Sequence, residues 1–409
     1  MTTHALRRPS DGALDREWLH EGMQFALDHF LLLPLGGLIA LVWANLAPES
    51  YFSIAIPLRF PVNDIGMALF FALVTQEIVE AVVPGGALHT WRRWTLPFAA
   101  AVGAVVVSTL TYVGYVAVLE ERVLVGGWPA AAAVDIAFVY MLARSIYPRH
   151  AALPFALVVA VCADVMLALA GARVPFAGVQ AGGVTLLVAA LAIALVMRLQ
   201  HVRSFWPYLF VCGPLAWWAL RVSGFHPALA LVPIVPFVPH APRSLVLFED
   251  RPHSAHDSYR HLEHVLKYPV QVVLFFFGLV NAGVLLSGYG TGTWALLAGS
   301  LLGKPLGLLA GTALAVALGL HLPRGLHWRD LAVVATATTG GFAFALFFAT
   351  AVMPLGPIQT ELKIGAILSG VGVPLTFAMA RVWRVGRFSA AYQHDTRGRR
   401  GRRIAQHHH

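Results

Sequence analysis

The stretch PFALVVAVCADVMLALAG, residues 154–171, is apolar over a full helix length and contains one charged residue, Asp164. A transmembrane α-helix needs about 20 predominantly apolar residues, because the hydrocarbon core is about 30 Å thick. Similar runs recur along the whole chain. The approximate spans are 24–46, 61–83, 96–117, 127–146, 151–171, 178–198, 204–221, 224–240, 268–288, 293–318, 331–353 and 359–384. The sequence therefore predicts an all-α membrane protein with about twelve transmembrane helices.

The composition excludes a large soluble protein. Hydrophobic residues make up 58% of the 409 residues and charged residues only 12%, and no charged helix face accompanies the apolar runs. The net charge of +9 comes from arginines in short connectors and in the tail, which is the positive-inside pattern of membrane proteins. The basicity therefore indicates topology and gives no reason to expect a nucleic-acid partner. Cys162 and Cys212 lie in apolar stretches and are predicted to pack without a disulfide.

The predicted organisation has three parts: a cytoplasmic N-terminal tail (1–23), a transmembrane domain (24–384) and a basic cytoplasmic C-terminal tail (385–409). The long polar connector His240–Lys267 separates about eight spans from about four. An even number of spans places both termini on one side, and the basic connectors make that side the cytoplasm. Prolines, among them Pro214, Pro227, Pro233 and Pro236, interrupt 204–240, so the two spans there are the least regular.

Ionisable residues at bilayer depth are costly, so each is a functional hypothesis. The candidates are Asp64, Glu77, Glu80, Asp135, Asp164, Lys304 and Lys363. Asp164 has no other charge for a helix length around it. A buried lone carboxylate is stable only if it is protonated, paired or holding a cation, and a carrier that exchanges a cation for a proton must offer those states. A hydrogen-bonded structural aspartate is the alternative interpretation.

Lys304 is one of three lysines among 29 basic residues. A desolvated lysine can release its proton and an arginine cannot, so the residue type suggests a titratable amine. A permanent salt bridge or a helix-end counter-charge is equally open. Asp135 follows Gly126, Gly127 and Pro129, and we expect it to neutralise the positive ends of broken helices rather than to bind an ion directly.

The eleventh span contains Thr338 and Thr339 directly before the pair Gly340 and Gly341. Tandem glycine beside hydroxyls predicts a break whose freed carbonyls could line a cation site. Ordinary packing of small residues is the alternative.

A second group of polar residues lies near predicted helix ends. Glu77 and Glu80 end the second span, and Glu263 and His264 precede the ninth; this cluster could sense pH or attract cations. A solvated cluster of helix-end charges explains the same pattern. His226, beside a proline, is a further candidate for pH response, although such a histidine is more often a satisfied polar residue.

Several segments together resemble the NhaA sodium/proton antiporter family. They are PVNDIGMALFFALVTQEIVE in the second span, GGWPAAAAVDIAF in the fourth, SGFHPAL before the eighth, EHVLKYP and GLVNAGV around the ninth, and GKPLG in the tenth. They occur in order, at family-like spacing, over residues 24–384. The resemblance implies the architecture already known for NhaA transporters, which is inverted repeats with the fourth and eleventh helices broken and crossing.

The same resemblance assigns expected roles. Asp164 matches the ion-binding carboxylate, a transient Na⁺ or Li⁺ ligand, Lys304 matches its lysine partner, and Asp135 matches the charge at the crossing. His226, Glu77, Glu80, Glu263 and His264 match positions linked to pH response. A bacterial inner-membrane location, no cofactor and no enzymatic reaction follow. Homodimerisation is left open, because the loop that supports family dimer contacts is shorter here.

Two residues depart from the family pattern. Ala163 stands where the family normally has the first of two adjacent aspartates, and Val134 stands where it usually has threonine. Both changes remove oxygen ligands. The first interpretation is a Na⁺ or Li⁺/proton antiporter working by alternating access. The alternatives are transport of K⁺, an anion or an organic ion on the same scaffold, and a non-transporting paralogue.

The arginine distribution predicts the side on which the long connector lies. In a variant without native cysteines, a membrane-impermeant thiol reagent should fail to label Ser254→Cys in intact cells and should label it after lysis. Glu121→Cys, in a connector predicted outside, is the positive control. Efficient labelling of Ser254→Cys from outside would overturn the assignment.

Overall fold

The structure, a computed structural model, describes residues 32–82, 91–148, 150–171, 180–239 and 258–389. Within these ranges the chain is helical and contains no β-strand. The predicted N-terminal tail and residues 390–409 of the C-terminal tail lie outside the described residues. So do residues 240–257 of the long connector and the side chains of Glu77, Glu80 and Glu263.

Sixteen α-helices follow one another in the described part of the chain. They are α1 (Leu32–Leu46), α2 (Pro48–Phe60), α3 (Met67–Val82), α4 (Trp91–Val118), α5 (Trp128–Ala132), α6 (Ile136–Ile146), α7 (Ala152–Gly171), α8 (Ala181–Leu199), α9 (Gly213–Ser223), α10 (Ser258–Asn281), α11 (Thr291–Leu297), α12 (Lys304–Ala317), α13 (Trp328–Ala337), α14 (Phe342–Val352), α15 (Pro357–Leu368) and α16 (Gly372–Val382).

Length and composition make many of these helices able to cross a membrane. Within the described residues six helices qualify, or up to eight if each of two bent pairs counts as one span. The bent pairs are Arg122–Ala132 with Ile136–Ile146, at 41°, and Trp328–Ala337 with Phe342–Ala351, at 46°. Leu32–Leu46 and Ala152–Leu167 are shorter apolar helices. The prediction of an all-α membrane protein with two broken helices is therefore confirmed.

The second span begins earlier than the sequence predicts. Instead of starting near residue 61, it runs as one helix over Pro48–Gln76. Pro57 and Pro61 lie inside it, and a π-helical turn over Pro61–Gly66 joins α2 to α3. A proline cannot donate the i→i−4 bond, and the wider turn accommodates the missing donor without ending the helix.

The predicted span 224–240 is not a continuous helix within its described residues. The left-handed Gly224 (φ 78°) ends α9, and short 3₁₀ turns follow at Pro227–Leu229 and Val235–Phe237. The prolines that begin or interrupt these turns prevent a regular helix. The segment is nevertheless largely buried, so it fills the interior as irregular backbone.

Close packing between α4 and α12 holds the tenth span against the interior. A Cβ on Gly103 would lie 2.2 Å from the Gly307 carbonyl oxygen and 2.8 Å from the Gly311 Cα, so only hydrogen fits there. Further along α4, the Ser108 hydroxyl lies within hydrogen-bond distance of the carbonyls of Ala131 and Gly299, at 3.1 and 2.9 Å. The glycine contact thus fixes α12, which begins at Lys304, beside the broken fourth span.

Gly103→Ala should separate α4 from α12 and destabilise the protein by about 1–3 kcal/mol, the usual cost of overpacking. Thermal unfolding in detergent measures the effect. Gly114→Ala is the matched control, because it lies on the same helix and a Cβ there meets nothing within 4 Å. Equal unfolding temperatures for the two variants would show that the helices can move apart without cost.

Candidate functional site: the crossing of two broken helices

The two breaks lie against each other inside the protein. α5 ends at Ala132 and α13 at Ala337, and the chain is non-helical over 133–135 and 338–341. α5 packs on α14, and α6 packs on α13, so the two broken spans cross. A Cβ on Gly341 would come within 2.3 Å of the Ala133 carbonyl oxygen, and glycine therefore permits this close approach.

Asp135 closes the N-terminal ends of two half-helices at once. Its Oδ1 accepts from the N–H groups of Ala137 and Phe138, at 3.0 and 3.3 Å, at the start of α6. Its Oδ2 accepts from the N–H of Ala343, at 3.0 Å, at the start of α14. The side chain is only 2% exposed. A carboxylate satisfies these free donors and balances the positive helix ends.

Lys304 occupies the opposite electrostatic position. Its Nζ donates to the carbonyl oxygens of Ala133, at 2.6 Å, and Thr339, at 3.2 Å, directly after the C-terminal ends of α5 and α13. The side chain is fully buried. An ammonium group there satisfies free carbonyls and balances the negative helix ends. Asp135 thus satisfies the N-terminal ends of two half-helices, and Lys304 satisfies the C-terminal ends of the other two.

Asp164 lies beside the same crossing, and among the described residues no basic group lies within ion-pair distance of its carboxylate. Its Oδ1 accepts from the N–H of Val134 at 3.4 Å, which is a long hydrogen bond. Its Oδ2 is buried and has no hydrogen-bond donor in the part of the chain that the structure describes. Lys304 Nζ, bonded to the neighbouring Ala133 carbonyl, is not within the 4.0 Å that defines an ion pair with Asp164.

The two positions that depart from the family pattern are packed in hydrocarbon. Ala163 and Val134 are both fully buried and belong to one apolar cluster with Leu308 and Val334. Apolar side chains therefore surround these two positions, which lack the oxygen atoms of the family's usual aspartate and threonine. Asp164 is therefore the carboxylate that remains free at the crossing.

The break-region hydroxyls satisfy nearby backbone. Thr338 and Thr339 donate to the carbonyls of Ala335 and Thr336, each at 2.7 Å, and so finish the last turn of α13. Ser300, which the sequence analysis did not select, donates to the Thr339 carbonyl at 2.7 Å. Its position four residues before Lys304, on the same helical face, is a signal that could have identified it.

The structure places His226 beside Asp64. His226 Nδ1 accepts from the N–H of Ala228 at 3.2 Å, and Nε2 lies 3.9 Å from Asp64 Oδ1. Asp64 is in the π turn before α3, whereas Glu77 and Glu80 follow 13 and 16 residues later, roughly 20 Å along the helix. His264 is exposed near the start of α10.

The polar groups of the crossing do not resemble a resident metal centre. Among the described residues, no three His, Cys, Asp or Glu side chains come together in a way that could hold a metal ion. A buried carboxylate that accepts one long hydrogen bond can instead be neutralised by a proton or by a monovalent cation.

Comparison with known proteins identifies the family. Residues 30–380 match the family model described as Na⁺/H⁺ antiporter 1. A protein from Desulfitobacterium hafniense named Na(+)/H(+) antiporter NhaA is 36% identical over 372 residues, covering 88% of this chain and 95% of the relative. The protein of the same name from Geobacter metallireducens is 37% identical over 365 residues, covering 86% and 95%. The chain therefore belongs to the Na⁺/H⁺ antiporter 1 family, a family of multi-pass helical membrane transporters that includes the NhaA proteins.

Proposed function

We propose that this protein is a secondary active antiporter that exchanges a monovalent cation, Na⁺ or Li⁺, for protons by alternating access. The observation that carries the proposal is the buried Asp164 Oδ2, which has no hydrogen-bond donor within the described ranges. An ionised carboxylate in that position needs a cation, and a neutral one needs a proton. The Na⁺/H⁺ activity in the relatives' names supports the same exchange.

Competition between cation and proton for Asp164 is the central step. A proton neutralises the carboxylate, and a cation does the same while accepting additional oxygen ligands from the nearby unwound backbone. Either ligand removes the uncompensated charge that would make reorientation costly. An Asp164 carboxylate that is ionised and holds neither ligand therefore opposes the change of the site from one side of the membrane to the other. Because the site changes sides only with a cation or a proton bound, the two ion movements are coupled.

Lys304 is the proposed partner of Asp164 in another state of the cycle. In this structure it is held by the carbonyls of Ala133 and Thr339. These two carbonyl contacts do not involve Asp164. The ammonium group therefore keeps favourable partners when Asp164 binds a cation. This arrangement supports a Lys304 that stays protonated, with Asp164 as the one group that trades a proton for a cation.

The proposed location is a bacterial inner membrane with both termini in the cytoplasm. Three segments that the arginine pattern assigns to the cytoplasm contribute residues to one cavity of about 890 Å³. One segment contains Tyr147, the second contains Leu322 and His327, and the third contains Arg384. Their shared position at one end of the molecule supports the topology.

Transport of another ion by the same crossing is the second hypothesis, and it rests on the missing oxygens at Ala163 and Val134.

Asp164→Asn should abolish cation-driven proton movement, because an amide can neither release a proton nor balance a bound cation. Proton flux in proteoliposomes after addition of Na⁺, Li⁺ or K⁺ should fall to the level of protein-free liposomes. Glu121→Gln, which removes an exposed carboxylate, should behave as the unaltered protein. Normal exchange by a well-folded Asp164→Asn protein contradicts the mechanism. Anion substitution in the same assay tests the second hypothesis.

The exchange should be one cation for one proton and electrically neutral. Asp164 would be the one proton carrier at the crossing if Lys304 remains charged. An imposed membrane potential should then leave both the rate and the equilibrium of Na⁺-driven proton flux unchanged. A clear voltage dependence that disappears in Lys304→Arg would instead make Lys304 a second proton carrier, since arginine cannot release its proton.

A further inference from the structure

The carbonyl oxygen of Thr339, just after the end of α13, accepts more hydrogen bonds than it has lone pairs. The Ser300 hydroxyl donates to it at 2.7 Å, the N–H of Gly341 at 2.9 Å and the ammonium group of Lys304 at 3.2 Å. A carbonyl oxygen has two lone pairs, so the three donors compete for it. The ammonium group is the most distant of them, although a charged donor usually forms a short bond.

The turn before α12 places Ser300 beside this carbonyl. Residues Ala298–Gly303 form a π-helical turn that continues directly into α12 at Lys304. Ser300 and Lys304 are four residues apart and therefore lie on one helix face, and both reach the same oxygen. Ser300 is only 1% exposed, so its hydroxyl is withdrawn from bulk water and its bond to the carbonyl is the stronger for it.

The two bonds of the Lys304 ammonium group differ in length and in what remains when the group leaves. The bond to the Ala133 carbonyl is the shorter, at 2.6 Å. At the Thr339 carbonyl, the Ser300 hydroxyl and the Gly341 N–H remain as donors after the ammonium group has gone. Because a buried carbonyl without a donor is costly, Ser300 lowers the free-energy cost of detaching Lys304 from the end of α13.

We propose that Ser300 is a positioning residue that weakens the bond between Lys304 and the Thr339 carbonyl, and so determines how readily the lysine moves to Asp164. The inference rests on the proposed function, in which Lys304 pairs with Asp164 in another state of the cycle. There the ammonium group and the transported cation compete for one carboxylate. Ser300 acts through Lys304 and the shared carbonyl, and it tunes both the affinity for the cation and the rate of its release.

Ser300→Ala should lower the half-saturating Na⁺ concentration of proton flux in proteoliposomes about three- to tenfold, the range expected for one buried hydrogen bond. Without the competing hydroxyl, the Thr339 carbonyl binds Lys304 more strongly, so the cation meets a weaker competitor at Asp164. The maximal rate should fall as well, because tighter binding acts mainly by slowing release. A serine with a purely structural role would not lower both constants together.

Thr312→Val is the matched control for the loss of a buried hydroxyl. Thr312 lies on α12 and is fully buried, but its hydroxyl donates to the Leu308 carbonyl of the same helix, at 2.7 Å. This variant should leave both the half-saturating Na⁺ concentration and the maximal rate unchanged. A half-saturating concentration that is raised or unchanged in Ser300→Ala overturns the inference.

Thermal unfolding of Ser300→Ala, Lys304→Met and the double variant in detergent tests the shared carbonyl without any transport. Each single variant leaves the other donor on the Thr339 oxygen, so the double variant should lose more stability than the two single variants together. Additive losses contradict the competition between Ser300 and Lys304. An unaltered protein that exchanges no monovalent cation would instead refute the proposed function, and the two failures are therefore distinguishable.

Discussion

The structure depends on neutralising the partial charges of four half-helix ends that meet inside an apolar interior. Each break leaves backbone N–H and C=O groups without intrahelical partners, and hydrocarbon cannot satisfy them. Asp135 accepts from the starts of α6 and α14, and Lys304 donates to the carbonyls that follow α5 and α13. Without both charges, the breaks would expose unpaired dipoles of the same sign to each other, so the crossing could not be buried as it is.

This balance explains why Asp164 remains unpaired. Asp135 and Lys304 are held by backbone groups from two segments each, and neither has to approach Asp164 to be satisfied. The apolar packing of Ala163 and Val134 adds no further oxygen atoms to its neighbourhood. Asp164 is left with one long hydrogen bond from Val134. Two charges that satisfy backbone groups of the crossing, Asp135 and Lys304, are thereby distinguished from one carboxylate, Asp164, that has a single long hydrogen bond.

Local sequence features predicted the elements of the fold but not their limits. The glycine pair after Thr339 predicted the break in the eleventh span, and the backbone leaves the helix there because Gly341 must pass within contact distance of the Ala133 carbonyl. Proline had opposite outcomes in two places: a π turn carries the second span through Pro61, whereas the segment after Gly224 is irregular. The tertiary environment decides whether a missing donor is accommodated or ends a helix.

The sequence by itself determined that the chain spans a membrane, and it identified the few residues whose charges are expensive there. Apolar length and the cost of burying a charge are local properties that need no knowledge of the neighbours. Only the tertiary structure decided the partners of those charges. The bond from Lys304 to Ala133 joins residues 171 positions apart, and that from Ala343 to Asp135 joins residues 208 apart. Such contacts depend on how the broken helices cross. The same residue type is therefore a helix-end counter-charge at Asp135 and a carboxylate with one long hydrogen bond at Asp164, according to which backbone ends the fold brings within hydrogen-bond distance.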